Sequence, residues 1–365
     1  MTNSNNQKPW IFDAHLDLAM NAIDWNRDLR QSVQSIRKRE TGMTDHLDRG
    51  KGVVSLPALR EGRIGVVVAT QIARYVAEGS TLPGWNSPPQ AWAQTQGQLA
   101  WYRAMEAEGE MVQITNFREL EDHILLWENQ DTPDQEKPVG YILSLEGADS
   151  IVTLDLLERS YEDGLRALGP AHYGPGRYAD GTGMSGPLHE SGKKLIRRMD
   201  ELGMILDVTH FTDEGFDEAL ELFHGPVWAS HHNSRVLVPH QRQLTDDQIK
   251  RLIERGSVIG ASLDVWMMVS GWVRGSSDPV RDGAPLQRIL DHWDHICQIA
   301  GNTDHIAIGS DLDGAFGKEQ CPHDLETIAD LQKFPELLLG RGYSTVDIEK
   351  IMHGNWVRFL KKAWK

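Results

Sequence analysis

The sequence predicts an α/β fold closed as a (β/α)8 TIM-like barrel, on three observations. Eight short apolar runs alternate with longer amphipathic stretches, the pattern of repeated βα units around a mostly parallel sheet. Most runs are followed by a helical pattern, and no GxGxxG or GxxxxGK follows the first, which disfavours an open doubly wound sheet. The 365 residues fit one such barrel with insertions, so residues 1–365 are read as a single domain.

The expected strands follow the chain in order. They are residues 10–15 (WIFDAH), 64–71 (IGVVVATQ), 139–145 (VGYILSL), 164–168 (GLRAL), 204–208 (MILDV), 227–230 (VWAS), 258–262 (VIGAS) and 306–310 (IAIGS). Each is short and apolar, as strands covered on both faces are. Residues 89–107, 191–202, 245–255, 286–300 and 344–362 repeat apolar side chains at helical spacing. Two segments read as insertions: the polar surface loop 128–138 (ENQDTPDQEKP), and residues 169–188 with six glycines and three prolines. A loop as long as the second is either a plain connection or a cover over the barrel mouth.

Composition narrows the function. Hydrophobic residues make up 40% and charged residues 25%, as in a globular chain. A net charge of −16 argues against a nucleic-acid partner, whose phosphates need clustered Lys and Arg. Cys297 and Cys321 lie in no CxxC spacing and are expected as reduced thiols. The polar start MTNSNNQKPW carries no signal core, and the end KKAWK lacks the apolar tail of a lipid anchor. No uncharged apolar run approaches ~18 residues. The expectation is a cytoplasmic protein with no membrane partner.

Metal-binding residue types fall where apolar strands run out into loops. Asp13, His15 and Asp17 close the first strand; Glu146 follows YILSL, His210 follows ILDVT, His231 follows PVWAS and Asp311 follows HIAIGS. The carboxyl ends of barrel strands converge on one face, which makes these residues neighbours. Imidazoles and carboxylates gathered at one mouth repel or desolvate one another unless divalent cations lie between them. Singly each is weak: a strand-end histidine is usually a hydrogen-bonded surface residue, and Glu146 or Asp311 alone would serve as a cap or turn acid. Five strand ends carrying ligand types together make the pattern specific.

Segments running in order from about residue 11 to 363 resemble the renal (membrane) dipeptidase family, peptidase family M19 of the amidohydrolase superfamily. They are DAHLDL, SLPALREGRIGVVVATQIA, LSLEGADSI, SGKKLIRRMDELGMILDVTHFT, PVWASHHNSRVLVPHQRQLTDDQI, HIAIGSDLDG and IMHGNWVRFLKKA. The resemblance implies a barrel of the metal-dependent hydrolase type and a metallodipeptidase. It implies two Zn2+ per chain, one held by His15, Asp17 and Glu146, the other by Glu146, His210 and His231, bridged by Glu146 and a hydroxide. Asp311 would be the proton shuttle, His172 in the glycine-rich loop the group polarising the substrate, and Arg242 the receptor of its free carboxylate. The implied partner is a small-molecule substrate, a dipeptide, in some relatives with a D-residue at the C-terminal position; homodimers are common among relatives. Deacylation of an N-acyl amino acid is the enzymatic alternative. A non-catalytic metabolite-binding barrel is the alternative of another class, disfavoured because a binding module needs no proton shuttle.

Such machinery is physically sound. Bound zinc lowers the pKa of water from about 15.7 to about 7, and an arginine fork grips a carboxylate through two parallel bonds. His231 and His232 should face opposite ways, and the family spacing selects His231. Asp13 is expected to support the site without ligating, Trp25, Trp266 and Trp272 to line the pocket, and His240 to be structural. Two departures bear on the substrate: LDVWMMVSGW stands where relatives carry an aromatic-rich segment with a tyrosine, and YGPGRYA lacks their usual Asn and Trp.

Overall fold

Parallel pairing organises residues 8–364, which the computed structural model describes; residues 1–7 and 365, on which part of the reading of the chain ends falls, lie outside them. The strands are β1 (Ile11–Leu16), β2 (Ile64–Ile72), β3 (Met111–Gln113), β4 (Val139–Glu146), β5 (Leu165–Gly169), β6 (Ile205–Asp207), β7 (Val227–Trp228), β8 (Ile259–Ala261) and β9 (Ile306–Ile308). They run in the order β1-β2-β4-β5-β6-β7, with β8 pairing β9. A single parallel bridge, Ala229 to Ile259, joins β7 to β8. At the remaining seam a side chain replaces a ladder: Ser310 N–H donates to Asp13 Oδ1 at 2.7 Å, and Asp311 N–H to His15 O at 3.2 Å. The sheet thus curls into the expected barrel.

The strand β3 was not expected. It adds to the edge of β4 over three residues, too few for an alternation to show. The expected helix 344–362 is broken into Thr345–Glu349 and Asn355–Ala363 by one wider π turn, Lys350–Gly354. Helices at Phe117–Glu128, Leu154–Glu162 and Asp213–Leu222 complete the βα alternation. No helix among the described residues is long and apolar enough to cross a membrane, and both cysteines are unpaired.

Strand register leads from core to site. Val68 lies beside Ile142, Thr70 beside Ser144 and Ile72 beside Glu146. One face of β2 and β4 therefore passes from an apolar floor to hydroxyls and then to a carboxylate, two residues at a time. In β1 the register shifts between Asp13 and Leu16. Such an irregularity re-aims the side chains that follow it, and here it frees Asp13 to bond Ser310 while His15 turns toward Thr70, whose hydroxyl also meets that of Ser144.

Candidate metal centre

Strand ends deliver the polar residues with a common spacing. Glu146 is the last residue of β4, and His172, His210, His231 and Asp311 each stand three residues beyond β5, β6, β7 and β9. His15 lies in β1 and Asp17 just past it. His210 and Asp311 take left-handed backbone, with φ of 71° and 59°. Non-glycine residues adopt that conformation at a cost of order 1–3 kcal/mol, which surrounding structure must offset. It is a common mark of a functional site.

Glu146 is the hub. His210 Nε2 lies 3.1 Å and His231 Nε2 3.4 Å from its Oε1, while His15 Nε2 lies 3.7 Å and His172 Nε2 3.6 Å from its Oε2. Asp17 and Asp311 each place an oxygen 3.9 Å from His15 Nε2. Two triads able to close on an ion share the glutamate, His15–Asp17–Glu146 and Glu146–His210–His231. A third, His15–His231–Asp311, adds a way in which Asp311 reaches the same space. Hydroxyls fix the far side of each ring: Thr70 Oγ1 is 3.4 Å from His15 Nδ1, Thr182 Oγ1 2.9 Å from His210 Nδ1 and Ser230 Oγ 2.9 Å from His231 Nδ1. All three Nε2 atoms are thereby aimed inward, the orientation that outer partners impose on ligating histidines.

The charge state of this cluster fits a bound cation. His15 Nε2, Asp17 Oδ1 and Glu146 Oε1 are buried without a hydrogen-bond partner among the described residues. Burial, reinforced by the Arg242 guanidinium, holds the His15 imidazole down to about 3. Burial likewise keeps His210 and His231 well below the ordinary histidine value, so their nitrogens stay neutral and able to ligate. The acids are pushed the other way: Asp17 up to about 7, by burial and then by Asp24, and Glu146 and Asp311 well up, by burial and then by Asp17. Buried acids that resist ionisation and imidazoles that stay neutral suit a divalent ion, which would draw the acids into their charged form and keep the imidazoles unprotonated.

Above the cluster opens a cavity of about 800 Å³. Arg242 is 2% exposed and gives Nη2 to His231 O at 3.0 Å; its Nε and Nη1 are buried and unmatched. Trp25, Trp266 and Trp272 all line the cavity, and so does His240, for which the sequence favours a structural role over a place near the mouth. His240 is placed there because it accepts Arg242 N–H at 3.0 Å and packs edge-on to Trp266. His232 joins none of the candidate metal triads among the described residues, and its backbone N–H bonds Gly260 O.

A family model described as membrane dipeptidase, peptidase family M19, matches residues 5–365. The chain belongs to this family. A relative described as dipeptidase tcpJ, from Claviceps purpurea, is 30% identical over 235 residues, covering 61% of this chain and 52% of its own length. A Klebsiella pneumoniae protein from the pqqA 5' region is 30% identical over 241 residues, covering 63% of this chain and 84% of its own. The chain therefore spans about half the length of the fungal dipeptidase and most of the Klebsiella protein. Among solved structures, a Rhodobacter sphaeroides metallopeptidase liganded with a phosphinate mimic of the dipeptide L-Ala-D-Ala superposes with a TM-score of 0.76. It is 23% identical, with 98% of this chain and 100% of that chain covered, which shows a shared fold.

In this member of the M19 family several site residues had no signal in the sequence. Arg74, two residues past β2, donates from Nη2 to His172 Nδ1 at 2.7 Å. Tyr173 packs edge-on to His210 with ring centres 5.0 Å apart. The glycine-rich loop returns Thr182 to His210, so it buttresses the site as well as edging it. Glycine is required where that loop doubles back, because a Cβ on Gly181 would sit 1.6 Å from His172 O.

Proposed function

We propose that the chain is a binuclear zinc dipeptidase. The observation that carries this reading is the pairing of two features at one cavity: histidine–carboxylate triads with unmatched acid oxygens at its floor, and a buried guanidinium with two unmatched donors on its wall. His15, Asp17 and Glu146 would hold one ion, and Glu146, His210 and His231 the other. Nitrogen and oxygen donors in sets of three suit zinc with a position left open. When bound, the ions supply a water acidic enough to attack at neutral pH and a Lewis acid for the scissile carbonyl.

The chain's own groups do the rest. Arg242 receives the substrate's terminal carboxylate through Nε and Nη1, which sets the amide bond over the cluster and restricts substrates to short ones. Asp311 Oδ1, 3.9 Å from His15 Nε2, takes the proton released by the attacking water and passes it to the departing amine. His172, with Arg74 donating to its Nδ1, keeps its proton on Nε2 and donates it to the oxygen that gains charge. Acceptance of a D-residue at the C-terminal position belongs to this reading, in line with the ligand of the Rhodobacter structure. A cytoplasmic setting accords with the two unpaired thiols.

The test is zinc content per chain followed by turnover of L,L- and L,D-dipeptides beside N-acyl amino acids. About two zinc ions per chain and dipeptide cleavage are expected. Turnover of acylated compounds alone would replace the reading with deacylation, and a zinc-loaded chain inert to both would overturn it.

A further inference from the structure

Two buried acceptors on the cavity wall are left unused by the reaction. Asp264, just past β8, is 6% exposed, and Gln320, in the short turn Lys318–Gln320, is 2% exposed. Both line the cavity. Asp264 Oδ1 and Gln320 Oε1 have no hydrogen-bond partner among the described residues. Asp264 occupies the N-cap position of the turn Val265–Met268, yet its side chain makes no capping bond. Burial outweighs the hydrogen bonds from Gln320 and Trp266 and the Arg274 charge and lifts its carboxyl to about 7, with Oδ1 the oxygen left unmatched. Arg274 spends its Nη2 on Ala315 O at 2.5 Å. Bare acceptors in a cavity wall are costly until a ligand brings donors to them, and a carboxylate beside an amide oxygen matches ammonium or guanidinium, which only donate.

Their placement names the part of the ligand. Asn233 Nδ2 donates to Ser262 O at 2.9 Å and Met267 O at 3.1 Å, and Gln243 Nε2 donates to Met267 O at 2.7 Å. The segment bearing Asp264 is thus tied to the loop bearing Arg242, and both residues line the one cavity. Arg242, on the dipeptidase reading, holds the residue with the free carboxylate. We propose that Asp264 and Gln320 form a subsite for a cationic side chain on the substrate's C-terminal residue, so that the enzyme prefers dipeptides ending in lysine or arginine. This rests on the dipeptidase reading. A cavity of about 800 Å³ stands high in the range of ligand pockets, roughly 300–1,000 Å³, and has room for a long side chain.

The experiment compares Ala-Lys, Ala-Ala, Ala-Glu and Lys-Ala on the zinc-loaded full chain. Ala-Lys should be favoured over Ala-Ala by about tenfold or more in kcat/KM, through KM, as expected for bonds to a charged group. Asp264→Asn should lower kcat/KM for Ala-Lys about tenfold more than for Ala-Ala. Equal losses on both substrates would overturn the subsite and assign Asp264 to the N-terminal ammonium or to the fold; so would a preference for Lys-Ala. Calorimetry with phosphinate mimics of Ala-Lys and Ala-Ala reads the same preference without turnover. Cleavage of no dipeptide would sink the proposed function, whereas cleavage and binding indifferent to the C-terminal side chain would sink the subsite alone.

Discussion

Arg74 Nη2 donates to His172 Nδ1 at 2.7 Å, and this bond decides which ring nitrogen carries the proton. An arginine only donates, so Nδ1 accepts and the proton of the neutral ring stays on Nε2, which lies 3.6 Å from Glu146 Oε2. Burial, and then the Arg74 charge, keep His172 well below the ordinary histidine value, so the ring remains neutral. Arg74→Met is expected to lower kcat roughly ten- to hundredfold, the usual cost of losing an orienting partner, with zinc content unchanged. Nitrogen-15 spectra of the ring should show a changed tautomer. An unaltered kcat would leave Arg74 only its second bond, Nη1 to Pro83 O at 3.0 Å.

Arg242 should not tolerate lysine. A lysine supplies one charge but not the fork of Nε and Nη1 that stands unmatched. Arg242→Lys is expected to raise KM for a dipeptide by roughly tenfold or more, since a buried charge pair that loses a partner forfeits at least about 2 kcal/mol. A dipeptide amide should discriminate little between the two proteins. Equal KM values for the free acid would remove Arg242 from substrate binding.

Asp311→Asn keeps the shape of the side chain and removes its ability to take a proton. A fall in kcat of roughly 10²- to 10⁴-fold is expected, with zinc retained, because each ion keeps three other ligands on the proposed assignment. Loss of one zinc per chain would instead make Asp311 a ligand, as the third triad geometry allows.

Acid should weaken the fold through His292. Burial holds its imidazole down to about 4, and its Nδ1 accepts Ser234 N–H at 3.1 Å. In the unfolded chain the same ring takes up its proton near pH 6.5. Between about pH 6.5 and 4 the unfolded state therefore binds the extra proton, and stability falls as pH falls, by up to about 3 kcal/mol from this group. Urea midpoints measured from pH 7 to 4.5 should drop, and His292→Gln should flatten part of that slope. A slope identical in the variant would place the acid sensitivity elsewhere.

Gly309 sits where three strands converge. A Cβ there would lie 1.7 Å from Ser230 O, and one on Gly260 2.0 Å from the same oxygen. Ser230 Oγ also positions His231 Nδ1 at 2.9 Å. Gly309→Ala should therefore cost roughly 1–3 kcal/mol through overpacking and weaken zinc binding as well, read by melting temperature and metal content. Normal values of both would show that the strands yield without disturbing His231.

The barrel was legible because its determinants are local. Runs such as VGYILSL are apolar throughout, which parallel strands covered on both sides require, and the polar residue at each strand end breaks that run abruptly. His15, Glu146, His210, His231 and Asp311 stood out for that reason. The strand β3 escaped because three residues carry no period, and the wider turn at Lys350–Gly354 escaped because the chain stays helical through it.

What the sequence determined by itself was the alternation of strands and helices and the residue types waiting at the strand ends. Only the tertiary structure decided that Arg74 reaches His172 across 98 positions, that Asp13 closes the barrel on Ser310 across 297, and that Asp264 and Gln320 face one cavity. Periodicity records what each segment does with its own apolar face. A hydrogen bond between distant loops depends on where the curled sheet carries them, and no local pattern encodes that.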